Sequence, residues 1–275
     1  MGTWFITGCS TGLGRAFALE ALQRGHQVAV TARDLTKVQD LADSYPDSAL
    51  SLSLDVTDEG QVAAAVSAAT ERFGSIDVLV NNAGYGYRAA VEEGEDGAVR
   101  QLFDTHVFGT VSMVKAVLPG MRAQRSGTIV NLSSIGARIC PEGSGYYAAA
   151  KAAVEALTLS LRKELAPLRI TAMTVEPGGF RTDFAGRSLT QAATPIADYA
   201  DTAGKRRKEN DTAHGTQPGD PTRAAVALVD VVESAAAPYL LMLGNDASDA
   251  VRTALDALRG DLDTWETVSR STDFD

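Results

Sequence analysis

The sequence predicts a single-domain α/β fold: a doubly wound parallel sheet of about seven strands, with helices on both faces. Three observations carry this. Short β-rich runs alternate with longer helical patterns along most of the chain, as β-α-β connectivity requires. Most of those runs are continuously apolar rather than alternating, as strands covered on both faces should be. No internal repeat and no linker divides the 275 residues, a length that suits one large domain.

The strand runs are residues 3–7, 27–31, 49–54, 77–80, 128–132, 169–175 and 239–243. Between them, 13–24, 35–44, 59–73, a long stretch near 95–122, and 146–165 read as helices. One stretch breaks the alternation. About forty residues between Val175 and a helix starting near Pro221 carry no strong strand signal, and a connection that long is usually functional or mobile. It contains Lys205-Arg206-Arg207-Lys208-Glu209-Asn210, read as a solvated helix face. Within it, 183–219 is expected to be a mobile lid over the substrate; the competing picture is a rigid wall with Leu189, Ile196 and Tyr199 packed on the core. Residues 246–269 read as one or two amphipathic helices turning Val251, Leu255, Leu258, Leu262 and Trp265 inward. The organisation is thus a domain over 1–245, which includes the 183–219 substrate segment, followed by a helical extension over 246–275.

A formal net charge of −10 argues against a nucleic-acid partner, since phosphate backbones need clustered Lys and Arg. Cys9 and Cys140 are too few for a disulfide framework, and with His26, His106 and His214 they form no metal-ligand pattern. Met1 lies close before the first strand, leaving no room for a signal peptide, and no apolar run spans a bilayer. A cytoplasmic protein without metal and without membrane contact is expected.

The first strand runs into Thr7-Gly8-Cys9-Ser10-Thr11-Gly12-Leu13-Gly14 and then a helix. Gly8 permits a tight turn, and Gly12 and Gly14 let the backbone approach a ligand. The first amides of that helix would face a pyrophosphate, as in Rossmann-type dinucleotide sites. The second strand ends at Ala32-Arg33-Asp34. An Arg there pairs with the 2′-phosphate of NADP, where a carboxylate would select NAD. Asp34 reads as the N-cap of the following helix. NADP is the expected cofactor and NAD the alternative.

Tyr147-Ala148-Ala149-Ala150-Lys151 places a phenol and an ammonium on one helix face. A nearby ammonium favours the phenolate, so Tyr147 can exchange a proton with an alcohol or ketone. Tyr146 points to another face. Ser134 follows the strand 128–132, at the strand end where open parallel sheets bind ligands, and its hydroxyl can hold the substrate oxygen.

Taken together, Thr7 to Gly14, Asn81-Asn82-Ala83-Gly84, Ser134, Tyr147-x3-Lys151 and Pro177-Gly178 resemble the short-chain dehydrogenase/reductase family in order and separation, over about residues 3–243. The resemblance implies that Ser10, Thr11 and Leu13 join the glycines of the cofactor turn. It also implies that Asn81, Ala83 and Gly84 line the cleft near the adenine ribose, that Asp55 and Val56 contact the adenine, and that Pro177, Gly178 and Thr182 flank the nicotinamide. Tyr147 and Lys151 would touch the cofactor as well as the substrate. The Thr-Gly-Cys-Ser opening and Val175-Glu176-Pro177-Gly178-Gly179-Phe180 are similar to the retinol- and hydroxysteroid-dehydrogenase branch, which implies an apolar substrate. One departure is His106, where the family carries an Asn whose backbone carbonyl holds a water beside the lysine. His106 is therefore a candidate for the proton relay, or a structural variant of that position.

The expected activity is hydride transfer between NADP(H) and an alcohol/ketone pair, by a homodimer or homotetramer acting on a small carbonyl or alcohol substrate. The rivals are an epimerase, dehydratase or lyase on the same fold, and an NADP-sensing regulator. Neither needs the cofactor turn together with Ser134, Tyr147 and Lys151.

Overall fold

Alternate residues of the central strands feed two separate cores, which is why those strands are apolar throughout. The structure is a computed structural model and describes residues 1–186, 188–213, 215–234 and 237–274. His214, and the side chain of Asn210 in the charged run, lie outside the described residues. In chain order the strands are β1 (Thr3–Ile6), β2 (Gln27–Ala32), β3 (Ala49–Ser53), β4 (Val78–Asn81), β5 (Gly86–Arg88), β6 (Gly127–Leu132), β7 (Ile170–Pro177), β8 (Leu189–Gln191) and β9 (Leu240–Leu243). The helices are α1 (Gly12–Gln23), α2 (Gln39–Ser44), α3 (Glu59–Phe73), α4 (Asp96–Phe103), α5 (Gly109–Gln124), α6 (Gly136–Ile139), α7 (Gly145–Leu165), α8 (Ala203–Ala213), α9 (Pro221–Glu233) and α10 (Asn245–Arg270).

The main sheet is parallel, in the order β3-β2-β1-β4-β6-β7-β9. Trp4, Ile6, Val28 and Val30 face α1 and α9, against Phe17, Leu22, Leu228 and Val229. Phe5, Ala29, Leu79 and Ile129 face α3 and α5, against Val62, Met113, Val117 and Met121. The strand order reverses between β1 and β4, and a crevice opens there at the strands' C-terminal ends, where such sheets bind ligands.

Local chemistry sets the boundaries. Asp34 caps the short helical turn Leu35–Lys37 by accepting from the Thr36 amide at 3.0 Å, and Asp58 caps α3 through the Gln61 amide at 3.0 Å. The long helical stretch near 95–122 is α4 and α5 joined through a π-type turn over Asp104–Phe108. Such turns are rare and favour functional sites, and this one carries His106.

Two expectations are corrected. In α10 Val251 is buried, but Leu255, Leu258, Leu262 and Trp265 are 49%, 57%, 66% and 58% exposed, so these four do not pack inward. Their stripe is apolar as the periodicity requires, but past Ala254 every position of the helix is exposed. Cys140, which between Ser134 and Tyr147 reads from the sequence as a small packed thiol or a pocket-lining one, is instead exposed, with φ +42°.

The 183–219 segment is more structured than its composition indicates. β8 pairs in parallel with β5, Gly86 opposite Leu189 and Arg88 opposite Gln191. The charged run lies on α8, and Arg207 is not solvated: it pairs at 2.5 Å with Glu93, whose side chain is fully buried. A strand this short leaves too few residues for a pattern to register.

Candidate active site

Gly8 and Gly12 have φ of +73° and +64°, conformations that side chains disfavour. A Cβ on Gly8 would lie 2.9 Å from Ala83 Cα, and one on Gly14 would overlap the Asn82 amide and the Gly8 carbonyl. These glycines let two loops at the switch point touch. Asn82 Nδ2 donates to the Thr7 and Gly8 carbonyls at 2.9 and 3.0 Å, and Thr7 Oγ1 accepts from the Asn82 and Ala83 amides at 2.9 and 3.0 Å. α1 then starts with Thr11 as an N-cap whose side chain makes no capping bond. Its first-turn amides are therefore left for an anion. Cys9 is buried, its Sγ 3.2 Å from the Ile6 carbonyl, and burial pushes the thiol up to about 12, so it packs rather than reacts.

A cleft of about 690 Å³ opens over these loops. Gly8, Ser10, Thr11, Gly12 and Leu13 line one side of it, with Arg33, Asp55 and Val56. Ala83, Gly84, His106, Ser134, Tyr147 and Lys151 also line it, as do Pro177, Gly178 and Thr182. Gly14 and Asn81 are the two sequence candidates that do not. Gly14 acts through its lack of a Cβ. Asn81 is buried in the sheet, donating to Asn131 Oδ1 at 2.8 Å, and its neighbour Asn82 is the one that faces the cleft.

α7 carries Tyr147 and Lys151 one turn apart, both buried. Lys151 Nζ donates to the Leu132 carbonyl at 2.6 Å and lies 5.8 Å from the Tyr147 ring centroid. Burial pushes Lys151 down to about 7, with Glu155 opposing. Burial raises the Tyr147 phenol, while the Ser134 hydroxyl and the Arg88 charge lower it. The Lys151 ammonium, to which the sequence assigned the pull on the phenol, donates to the Leu132 carbonyl while staying within reach of the ring. Ser134, just past β6, is oriented by accepting the Gly136 amide at 3.1 Å.

His106 stands edge-on to Tyr147, ring centroids 5.6 Å apart. Its Nε2 lies 2.7 Å from the Tyr85 carbonyl, a distance that suits donation to that oxygen. Burial holds its pKa well below the usual histidine value, and the Lys151 charge adds to this. The imidazole is therefore neutral.

Two residues of the site escaped the sequence reading. Glu155 continues the four-residue ladder from Tyr147 and Lys151, a spacing that could have revealed it. It is buried, accepts from Ser133 Oγ at 2.5 Å and pairs with Arg138 at 3.0 Å. Burial pushes its carboxyl up, against the pull of Ser133 and Arg138 and with the push of Glu176. Arg88 lies on β5, a strand too short to predict, and lines the cleft with its Cζ 6.0 Å from the Tyr147 ring centroid.

Known proteins carry the same frame. The family described as short chain dehydrogenase matches residues 3–193. Oxidoreductase BOA17 of Botryotinia fuckeliana is 37% identical over 267 residues, 97% of each chain. Human retinol dehydrogenase 8 is 37% identical over 198 residues, covering 71% of this chain and 63% of its own. A short-chain dehydrogenase from Streptomyces avermitilis superposes with a TM-score of 0.92 at 40% identity, over 99% of this chain and 98% of that one. With a match that runs from β1 through the segment holding Ser134, Tyr147 and Lys151, this chain belongs to the short-chain dehydrogenase family.

Proposed function

We propose that the protein interconverts an alcohol and a ketone or aldehyde with NADP(H), on a substrate whose body is largely apolar. The observation that carries this reading is the meeting of Ser134, Tyr147 and Lys151 in one cleft with the glycine turn. The apolar substrate is supported by the likeness to retinol dehydrogenase 8 and by Ile139 and Phe184 in the cleft lining. The glycine turn and the amides of α1 would hold the pyrophosphate, Asp55 and Val56 the adenine, and Ala83 and Gly84 the neighbouring ribose, with Asn81 bracing that loop from behind. Pro177, Gly178 and Thr182 would hold the nicotinamide, which supplies the hydride.

The chain's own residues handle the proton. In the reducing direction Ser134 donates a hydrogen bond to the carbonyl oxygen and stabilises charge building on it. Tyr147 gives its phenolic proton to that oxygen, and the buried phenol, whose pKa burial raises, suits the acid role. Lys151, near neutrality in its pKa, resupplies the proton and orients the ribose. The reverse direction runs the same proton back. His106 positions the wall beside Tyr147 rather than carrying the proton, because it is held neutral. The kcat/KM for reduction is expected to fall as pH rises through about 7, where Lys151 loses its proton. A rate that stays flat across neutrality would count against Lys151 as proton supplier.

Arg33 is exposed at the cleft mouth just past β2, with no carboxylate at the position that would read a free ribose. Arg33→Ala is expected to weaken NADPH by about 1.5–3 kcal/mol, the worth of a charge-assisted bond, and NADH far less. Titration of both cofactors by fluorescence checks this, and equal losses would mean that Arg33 does not read the 2′-phosphate. A homodimer or homotetramer is supported by Ala149 and Ala152, exposed on α7 with Leu157, and by the uncovered stripe of α10. No helix among the described residues is long and apolar enough to cross a membrane.

A further inference from the structure

Beside Tyr147 the cleft holds a cation that neither gives nor takes the proton in the reaction above. Arg88 is 8% exposed, lines the cleft next to Arg206, and has its Nε and Nη1 buried without a hydrogen-bond partner. Its place is fixed by the backbone. Arg88 pairs with Gln191 in the small β5–β8 sheet, and its carbonyl accepts from the Ala192 amide at 2.9 Å.

Glu93 and Glu95, which follow β5 in sequence, are committed elsewhere. Glu93 binds Arg207 and accepts from the Ala90 and Ile196 amides at 2.8 Å each. Glu95 is held by the Tyr87 hydroxyl and by the Ala193 amide at 2.7 Å. Burial lowers the Arg88 pKa, and the Arg206 charge adds to that, while only the Tyr147 phenol opposes. A guanidinium nevertheless stays charged inside a protein, and a buried charge without a partner is strongly destabilising. Buried polar groups in native structures are bonded with few exceptions, and an exception that faces a cleft points to a bonding partner from outside the chain.

We propose that Arg88 is a specificity residue that binds a carboxylate carried by the substrate close to its reacting carbonyl. The substrate is then an oxo acid, or the matching hydroxy acid in the oxidising direction, with an apolar remainder against Ile139 and Phe184. This rests on the assignment of Ser134, Tyr147 and Lys151 as a carbonyl-reducing site. A carboxylate supplies what a neutral ketone does not: a full charge and several lone pairs for a guanidinium fork. The reacting oxygen does not fill the role, since Ser134 and Tyr147 already serve it.

The test compares an aliphatic oxo acid with its methyl ester, in wild type, Arg88→Lys and Arg88→Met. The wild type is expected to favour the acid in kcat/KM by about 10- to 100-fold, the worth of a charge-assisted bond. Arg88→Met brings that ratio to near one, and Arg88→Lys keeps part of it. A general loss of activity cancels in the ratio. In thermal melts without ligand, Arg88→Met gains stability because the buried charge is gone. The oxo acid raises the Tm of the wild type but not of Arg88→Met. An acid-to-ester ratio near one in the wild type, or an unchanged ratio in Arg88→Met, overturns the proposal. Reduction of neither compound would strike at the reaction class instead, and the Tm shift by the acid would still decide the role of Arg88.

Discussion

Tyr147→Phe is expected to bind NADPH as the wild type does and to lose turnover by about 10² to 10⁴, the usual contribution of a general acid or base. The substitution removes one hydroxyl and keeps the ring. That ring packs with Tyr87, Ala89 and Leu102, edge-on to His106 and 5.9 Å from Phe184, so the cleft wall survives. Ser134 still accepts from the Gly136 amide and stays in place. What is lost is the proton donor, and the adjacent phenol does not replace it: Tyr146 is turned away, its hydroxyl donating to the Val91 carbonyl at 2.5 Å. Steady-state rates beside a fluorescence titration of NADPH separate chemistry from binding. Turnover near the wild-type rate would remove Tyr147 from the mechanism.

Arg207→Ala is expected to destabilise the fold by about 3–5 kcal/mol, the cost of stranding one partner of a buried ion pair. Glu93 has no exposed side-chain surface, and besides Arg207 it holds the Ile196 amide of the substrate segment. The Arg207 guanidinium is the main reason that its carboxyl is held down at about 2, against an ordinary 4.5. A carboxyl lowered on folding stabilises above its unfolded pKa. The contribution is therefore present above about 4.5 and is lost as pH falls towards about 2. Urea unfolding at neutral pH should show the full gap between wild type and variant, and the gap should close in acid. A difference below about 1 kcal/mol at neutral pH would place the pair among solvated surface contacts. Hydrogen exchange on the same samples reads the substrate segment. Protection at Ala193 and Ile196 that rises with cofactor and substrate supports closure over the cleft, and slow exchange unchanged by ligand supports a fixed wall.

The parts of the fold legible in the sequence were those with long, repeated signals. Strands covered on both faces read as apolar runs because Trp4 and Phe5 serve opposite cores. Asp34 was readable as a cap because its bond to Thr36 is local. Tyr147, Lys151 and Ser134 were readable because helix periodicity and strand ends place side chains by simple rules. Interactions between distant segments left no such trace. The Glu93–Arg207 pair joins residues far apart in sequence, so Arg207 read as one more charge on a solvated face. Arg88 sits on a strand that exists only through its pairing with β8. The stripe on α10 gave the right periodicity for an amphipathic helix, but periodicity does not say whether a core lies opposite it. Asn81 and Asn82 differ by one position on a strand end, and only the structure decides which of them turns towards the cleft.

The most direct measurement is the absorbance of NADPH on mixing the protein with a panel of ketones, aldehydes and oxo acids, beside Tyr147→Phe. The account predicts carbonyl-dependent consumption of NADPH, slower with NADH, that all but disappears in Tyr147→Phe. Saturable binding of NADPH with no consumption by any carbonyl compound would contradict it, and would leave a protein that senses the cofactor without using it.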